Sequence, residues 1–577
     1  MKFEIQGAGF LRDGKPVKLM SGAVHYFRNM PDTWDDIFKK MKAMGLNCVE
    51  TYCAWNLHEP EPNKFCFEGR LDIASFIKKA AENELMVIVR PGPYNCAEWE
   101  FGGLPWWLQC DEEMEIRCMN KKYIAHFDAY LDALFEQERP LLCTNGGPVI
   151  MLQCENEYGY YGDDKEYLSY LRDGYIRRGI DVPLFTSDGH TEETLRDGMI
   201  EGCITTLNFG SNVEERFAVH DRLFPDAPKM CMEMWNGWFD AWGDEKHHTT
   251  SASDYVKSVS DMLKKGSVNM YMFIGGTNFG FTSGANHYDK FAPDVTSYDY
   301  DALLTECGDV TPKYMAVREV LSQYADGPLP DVPANRAKKA FGRVRLTESA
   351  GLFANLENLS APIHTEVPLC MEKYGIGYGY ILYRTRLNRD YKEAKLTFES
   401  LGDRAQVYVG DRLQGIAYVN DSLTVVINAN AGEELTVLVE NMGRANFGPK
   451  MMRKKGIAGR ALLGGKIHFS WDAYPLTMEN LDKVDFNFKG DESAKFYRGT
   501  LSVDTPCDTF LRTDNFTKGF VVINGFNLGR YWEIGPQKTL YVPASVLREG
   551  DNEIILFESD GIKGAPEIEF TDTTELG

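Results

Sequence analysis

Eight short apolar runs, most of them followed by a longer amphipathic stretch, fill the chain through about residue 325 and leave few folds open. The runs are "VKLMSGAVHYF", "NCVETYCAW", "LMVIVRPGPY", "GPVIMLQCENE", "VPLFTSD", "CITTLNFG", "PKMCMEMW" and "NMYMFIGGTNFG". Between them lie helical patterns such as "PDTWDDIFKKMKAMG", "LDIASFIKKAAENE" and "ASDYVKSVSDMLKKG". Eight βα units over about 300 residues are the count and size of a (β/α)8 TIM barrel, here with an N-terminal hairpin around Gly14. A doubly wound open sheet alternates in a similar way, but no glycine-rich phosphate loop follows the first strand.

The pattern then changes. After a Pro-rich linker beginning "DGPLPDVPANRAKK", short alternating strands separated by Gly, Asn and Asp turns replace the helices. This half echoes itself: "YRTRL" with "VYVGDRLQG" returns as "YRGTL" with "VVINGFNLG", and twenty-four positions separate Tyr383 from Val407 and Tyr497 from Val521. Two copies of one β-sandwich module follow from that spacing. The expected division is a barrel over 1–325, a linker over 326–345, and sandwiches over 346–470 and 471–577.

A formal charge of −23, with no Lys/Arg-rich run, argues against nucleic acid and anionic lipid as partners. No apolar stretch of about 18 residues offers a membrane span. The opening "MKFEIQGAGFLRDGKPVKL" has no apolar signal core. Thirteen cysteines, scattered singly and without C-x-x-C, read as free thiols, so the expected compartment is the reducing cytoplasm.

A barrel of this kind builds its active site from residues at the C-terminal ends of its strands. Those ends carry Tyr52, Asn56, His58 and Glu59; Tyr94, Cys96, Ala97 and Glu98; Glu155, Asn156 and Glu157; Glu233; and Asn278. Trp235 and Trp238 follow closely. Carboxylates, amides and aromatic rings together suit a sugar: hydroxyls need acceptors and amides, a pyranose face stacks on a ring, and glycosidic cleavage needs two carboxyls. Only His25 and His58 lie near strand ends, too few for a metal centre. Each residue also has a plainer explanation, as a solvated loop, a rim ion pair or core packing. Glu155 and Glu157 abut an almost wholly apolar run, however, and Glu233 sits between Met232 and Met234, where an unpaired carboxylate is costly.

The run "GGPVIMLQCENEYG" resembles the signature of the family 35 glycoside hydrolases, the β-galactosidases. "SGAVHYFR", "MKAMGLNCVETYCAWNLHEP", "RPGPYNCAEWEFGGLPWWL", "MYMFIGGTNFG" and "TSYDYDALLTECGD" agree with it in order and cover nearly the whole barrel. The resemblance implies a barrel followed by two jelly-roll domains of galactose-binding type, and an exo-acting, retaining, cofactor-free β-galactosidase. It assigns Glu157 as acid/base, Asn156 as the amide on the sugar 2-hydroxyl and Glu233 as nucleophile, with the two carboxyls roughly 5–5.5 Å apart. It also carries over Tyr52, Cys96, Ala97, Glu98 and Tyr300 as contacts to galactose. Glu155 becomes a supporting residue below the site.

Trp235 and Trp238 are expected to form a platform for the second sugar, closed over by Phe447 from "GRANFGPKM", with a preference for β-1,3 linkages. Phe281 departs from the family, whose animal members carry Tyr there, so a hydroxyl contact to the sugar is expected to be lost or replaced. The "HYFRNMPDTW" segment also departs after Arg28. The β-domains are expected to buttress the barrel and support a homodimer. A hydrolase for another β-linked sugar and a non-catalytic carbohydrate-binding protein are the competing readings.

Overall fold

Three antiparallel strands, β1 (Phe3–Gln6), β2 (Gly9–Arg12) and β3 (Lys15–Val17), precede the barrel. β2 and β3 form the hairpin expected at Gly14, where Asp13 and Gly14 both take positive φ, as a tight two-residue turn requires. The structure, a computed structural model, describes residues 1–325 and 327–577; Asp326, the first residue of the expected linker, lies outside the described residues.

The eight apolar runs become β4 (Met20–Val24), β5 (Cys48–Tyr52), β6 (Met86–Arg90), β7 (Val149–Gln153), β8 (Leu184–Asp188), β9 (Ile204–Asn208), β10 (Met230–Trp235) and β11 (Ser267–Ile274), closed into one parallel barrel. Nearly every residue of these strands is buried, because helices cover the outer face while side chains fill the centre. The helices begin where side chains satisfy free N–H groups: Asp72, Asn120, Asp164 and Ser251 each accept from the first turn. Parallel closure puts all eight C-terminal ends at one mouth.

The β-rich half forms two sandwiches, and its sequence echo has a geometric cause. In the first sandwich Tyr383 and Val407 flank the same residue, Val437. In the last, Tyr497 and Val521 flank Leu556. In both copies the second strand of the pair breaks register at the next residue. The two matching sheets bury their outer faces on each other, Leu382 and Leu438 among the side chains that meet Phe520 and Phe557.

Strand pairing moves the expected domain boundaries at 345/346 and 470/471. Gly342–Arg345 and Glu348–Gly351 pair with Glu567–Thr571 and Lys495–Val503, so both belong to the last sandwich. Trp471–Leu476 pairs with Tyr380–Arg386 in the first. The first sandwich is thus inserted between strands of the last, an arrangement invisible to a pattern read along the chain.

One strand joins the sandwiches to the barrel mouth. Ala445–Phe447 runs parallel to β12 (Ala285–His287), itself paired with β13 (Phe291–Pro293). Beside it the fully buried Arg444 donates to Glu100 (2.9 Å) and Gln109 (3.1 Å) in the barrel loops and to Glu372 (2.7 Å) in the first sandwich. Among the described residues no helix is long and apolar enough to cross a membrane.

Candidate active site

Glu233 comes from β10, where a shift in register between Cys231 and Met234 interrupts strand alternation. Met232 and Met234 stay buried while Glu233 reaches the mouth. Its Oε1 accepts from Tyr52 Oη (2.7 Å) and pairs with Arg90 Nη2 (2.8 Å), and its Oε2 accepts from Trp235 Nε1 (3.2 Å). Three donors, one of them a buried cation, hold the carboxyl group in place.

Glu157 faces it across the same cavity with far less help. One donor, Asn208 Nδ2, reaches its Oε1 at 3.0 Å, and Asn208 is itself fixed by Ser187 Oγ (2.6 Å). Burial and then the charge of Glu233 push the Glu157 carboxyl up to about 8. Its backbone is left-handed (φ 48°) and its N–H donates to Ser187 O at 2.9 Å. The neighbouring Glu155 points the other way, held by Arg117 Nε and Nη2 (2.9 and 2.7 Å) and by Tyr167 Oη (2.9 Å). The two glutamates of "CENE" therefore have opposite environments.

The cavity between Glu157 and Glu233 measures about 360 Å³. Its wall includes Cys96, Ala97 and Glu98, three consecutive residues at positive φ, a conformation L-residues hold only where surrounding contacts impose it. Here Arg28 Nη2 grips Ala97 O, and Glu98 accepts from Tyr298 Oη and is pushed up to about 7 by burial. Tyr300, also left-handed, and Tyr271 add to the wall. Trp235, which donates to Glu233, and Trp238 stand together on the wall, rings 5.5 Å apart at 79°. Phe447, also on the wall, meets Tyr160 and Tyr288 edge to face at 6.2 and 6.1 Å.

Residues 9–324 match the glycosyl hydrolases family 35, residues 368–477 the β-galactosidase first all-β domain, and residues 494–552 the β-galactosidase galactose-binding domain. A β-galactosidase of Xanthomonas manihotis is 42% identical over 95% of this chain and 92% of its own length. One of Bos taurus is 40% identical over 98% and 92%, and the human β-galactosidase-1-like protein 2 is 40% identical over 100% and 92%. The chain belongs to glycoside hydrolase family 35.

Nine of the residues expected at the site of this family 35 hydrolase line the cavity: Cys96, Ala97, Glu98, Glu157, Glu233, Trp235, Trp238, Tyr300 and Phe447. Tyr52 and Asn156 do not. Both are buried behind the wall, Tyr52 on Glu233 and Asn156 with Oδ1 taking Arg90 Nη2 (2.7 Å) and Nδ2 donating to Asn95 O (3.2 Å). Phe281 is a correction: it packs against Phe520, Tyr380 and Arg530 at the domain junction and does not line the cavity between Glu157 and Glu233. Of the other strand-end residues, Glu59 takes Trp55 Nε1 (2.6 Å), His58 takes Tyr26, and Asn278 takes Arg28 Nε (2.8 Å), all structural roles.

Sequence reading missed Arg90 and Asn208, although each ends an apolar run and obeys the rule that selected the others. It also missed Tyr160, Tyr271, Asn286 and Tyr288 on the wall. Asn286 and Tyr288 come from the β12 segment beyond the barrel strands, and nothing local marks them. Asp240, Asp244 and His248 bring potential metal ligands within 4.8 Å of one another, but Asp240 is already taken by His247 (2.6 Å) and His248 (2.8 Å), and none of the three lines the cavity.

Proposed function

We propose that this hydrolase is an exo-acting, retaining β-galactosidase that removes terminal β-D-galactose from oligosaccharides by double displacement. The contrast between Glu233 and Glu157 carries the reading. Glu233, held by three donors, attacks the anomeric carbon while Glu157 gives its proton to the departing glycosidic oxygen. Forming the glycosyl ester neutralises Glu233, which removes the charge that kept Glu157 protonated. Glu157 then takes a proton from water, whose oxygen attacks the same carbon and expels Glu233. Stereochemistry at that carbon is inverted twice and so retained.

Exo action is supported by the lid strand: Phe447, placed over the mouth by Ala445–Phe447, makes a pocket where an open barrel would leave a groove. The sugar is read as seated on Cys96, Ala97, Glu98 and Tyr300, with Tyr52 and Asn156 acting from behind through Glu233 and Arg90. The leaving group is read as lying between Trp235 and Trp238 on one side and Phe447 on the other, with β-1,3 linkages preferred. Thirteen free cysteines support a cytoplasmic site of action. Exposed Leu413, Ile416 and Val426 on adjoining strands support a homodimer through the first sandwich, and sedimentation as a monomer at micromolar concentration removes that part.

A 2-deoxy-2-fluoro-galactosyl fluoride tests the core of the proposal: peptide mapping should find the sugar on Glu233. A label elsewhere, or turnover retained by Glu233→Gln, sinks the assignment. Higher rates on nitrophenyl glucoside or fucoside than on galactoside would transfer the machinery to another sugar. Equal rates on β-1,3-, β-1,4- and β-1,6-galactobiose would remove the linkage preference.

A further inference from the structure

A cleft of about 460 Å³, larger than the catalytic cavity, lies where the barrel and both sandwiches meet. Its floor is carbon: Phe279 and Phe281 from the segment after β11, Met478 from the first sandwich, and Val522 and Ile555 from the last, none more than 8% exposed. Its upper wall is polar. The carboxylates of Glu479 and Asp482 have no hydrogen-bond or ion-pair partner among the described residues. Asn527 Oδ1 accepts from Gly529 N (3.0 Å), which leaves its amide hydrogens unclaimed, and Tyr378 Oη accepts from Asn56 Nδ2 (3.4 Å) with its own hydrogen still to give.

The distribution selects a class of occupant. A wholly apolar ligand would cover the Asn527 amide and take the exposed carboxylates out of water without satisfying them, which opposes its binding. An anion meets three carboxylates, those of Glu479, Asp482 and Glu553, no Lys or Arg on the wall, and a chain of net charge −23. A neutral pyranose fits both surfaces, with its C–H face on the phenylalanines and its hydroxyls donating to Asp482 and Glu479 and accepting from Asn527 and Tyr378. At depth the cleft backs onto the catalytic wall: Asn56 Oδ1 accepts from Trp99 Nε1 (3.0 Å), and Trp99 directly follows Glu98.

We infer that this three-domain cleft is a second, non-catalytic binding site for a neutral saccharide, separate from the pocket of Glu157 and Glu233. Its rim can be altered without touching the catalytic groups. Asn527→Asp keeps the acceptor for Gly529 and removes the donor, and Asp482→Ala removes an exposed acceptor.

Equilibrium dialysis of labelled β-1,3-galactobiose against the Glu233→Gln chain, at millimolar sugar, tests the site. Two sugars should bind per chain, falling to one when Asn527→Asp and Asp482→Ala are added, while those two changes in the otherwise native enzyme leave nitrophenyl galactoside hydrolysis within about twofold. One sugar bound in both chains overturns the cleft site, as does two bound in both. One sugar falling to none supports the cleft and counts instead against the catalytic pocket as the galactoside site.

Discussion

Arg90 Nη2 lies 2.8 Å from Glu233 Oε1, inside a fully buried guanidinium that also serves Asn156 Oδ1 at 2.7 Å. One cation therefore orients Glu233, the proposed nucleophile, and the Asn156 amide together. Lysine keeps the charge but not the fork, so Arg90→Lys should lower kcat by roughly 10²-fold or more, with KM changed much less. Arg90→Met leaves Glu233 buried beside Glu50 without a counter-ion and should also cost about 3–5 kcal/mol in urea unfolding. An unchanged kcat in the lysine variant would remove Arg90 from the positioning machinery.

Glu157 is raised to about 8 by burial and by the Glu233 charge, and the proposed first step requires its proton. Activity should therefore fall as pH rises through about 8. Removing the neighbouring charge in Glu233→Gln should lower the Glu157 pKa by about one unit or more, read by carbon NMR of labelled glutamate. No shift between the two proteins would mean that burial alone holds the proton.

The same burial predicts how stability depends on pH. Glu50 and Glu98 are pushed up to about 7, and Glu138 and Glu306 to about 8, all chiefly by burial. Their folded pKa values exceed the unfolded one near 4.3, so the folded chain holds protons that the unfolded chain has released. That contribution is complete below about 4 and is lost as pH rises through 7 to 8. His58, lowered to about 4 by burial, opposes this only below about 6.5. Unfolding free energy should decline between pH 6.5 and 8.5; a rise over that window would contradict the buried, protonated assignment.

Trp238 is 41% exposed at the cavity mouth, so its truncation removes little packing. Trp238→Ala should raise KM for galactobioses about tenfold, the equivalent of one stacking interaction of about 1–1.5 kcal/mol, with a smaller effect on methyl galactoside, whose leaving group has no ring. Equal losses on both substrates would place Trp238 in the galactose site instead.

Arg444 joins Glu100 in the barrel to Glu372 in the first sandwich, three residues before Phe447. Arg444→Met strands two buried carboxylates and should cost about 3–5 kcal/mol of stability. It should also weaken disaccharide binding, because the segment that carries Phe447 loses its anchor. Parallel loss of stability with unchanged KM would separate the clasp from the lid.

The sequence alone was enough for the barrel and for the two glutamates at its mouth, since both follow from local rules. A strand covered on both faces must be apolar throughout, so a carboxylate such as Glu233 between Met232 and Met234, or Glu157 at the end of Val149–Gln153, stands out against its neighbours. Which residues form the pocket wall was decided only by the tertiary structure. Tyr52 and Asn156 look like wall residues by position, yet hydrogen bonds to Glu233 and Arg90 hold them one layer behind it. Asn286 and Tyr288 reach the wall from a segment that meets Ala445–Phe447 of another domain, by strand pairing and by a ring contact, and Phe281 packs instead at a junction of three domains. Periodicity reports which face of an element is buried; it carries no information about which distant element does the burying.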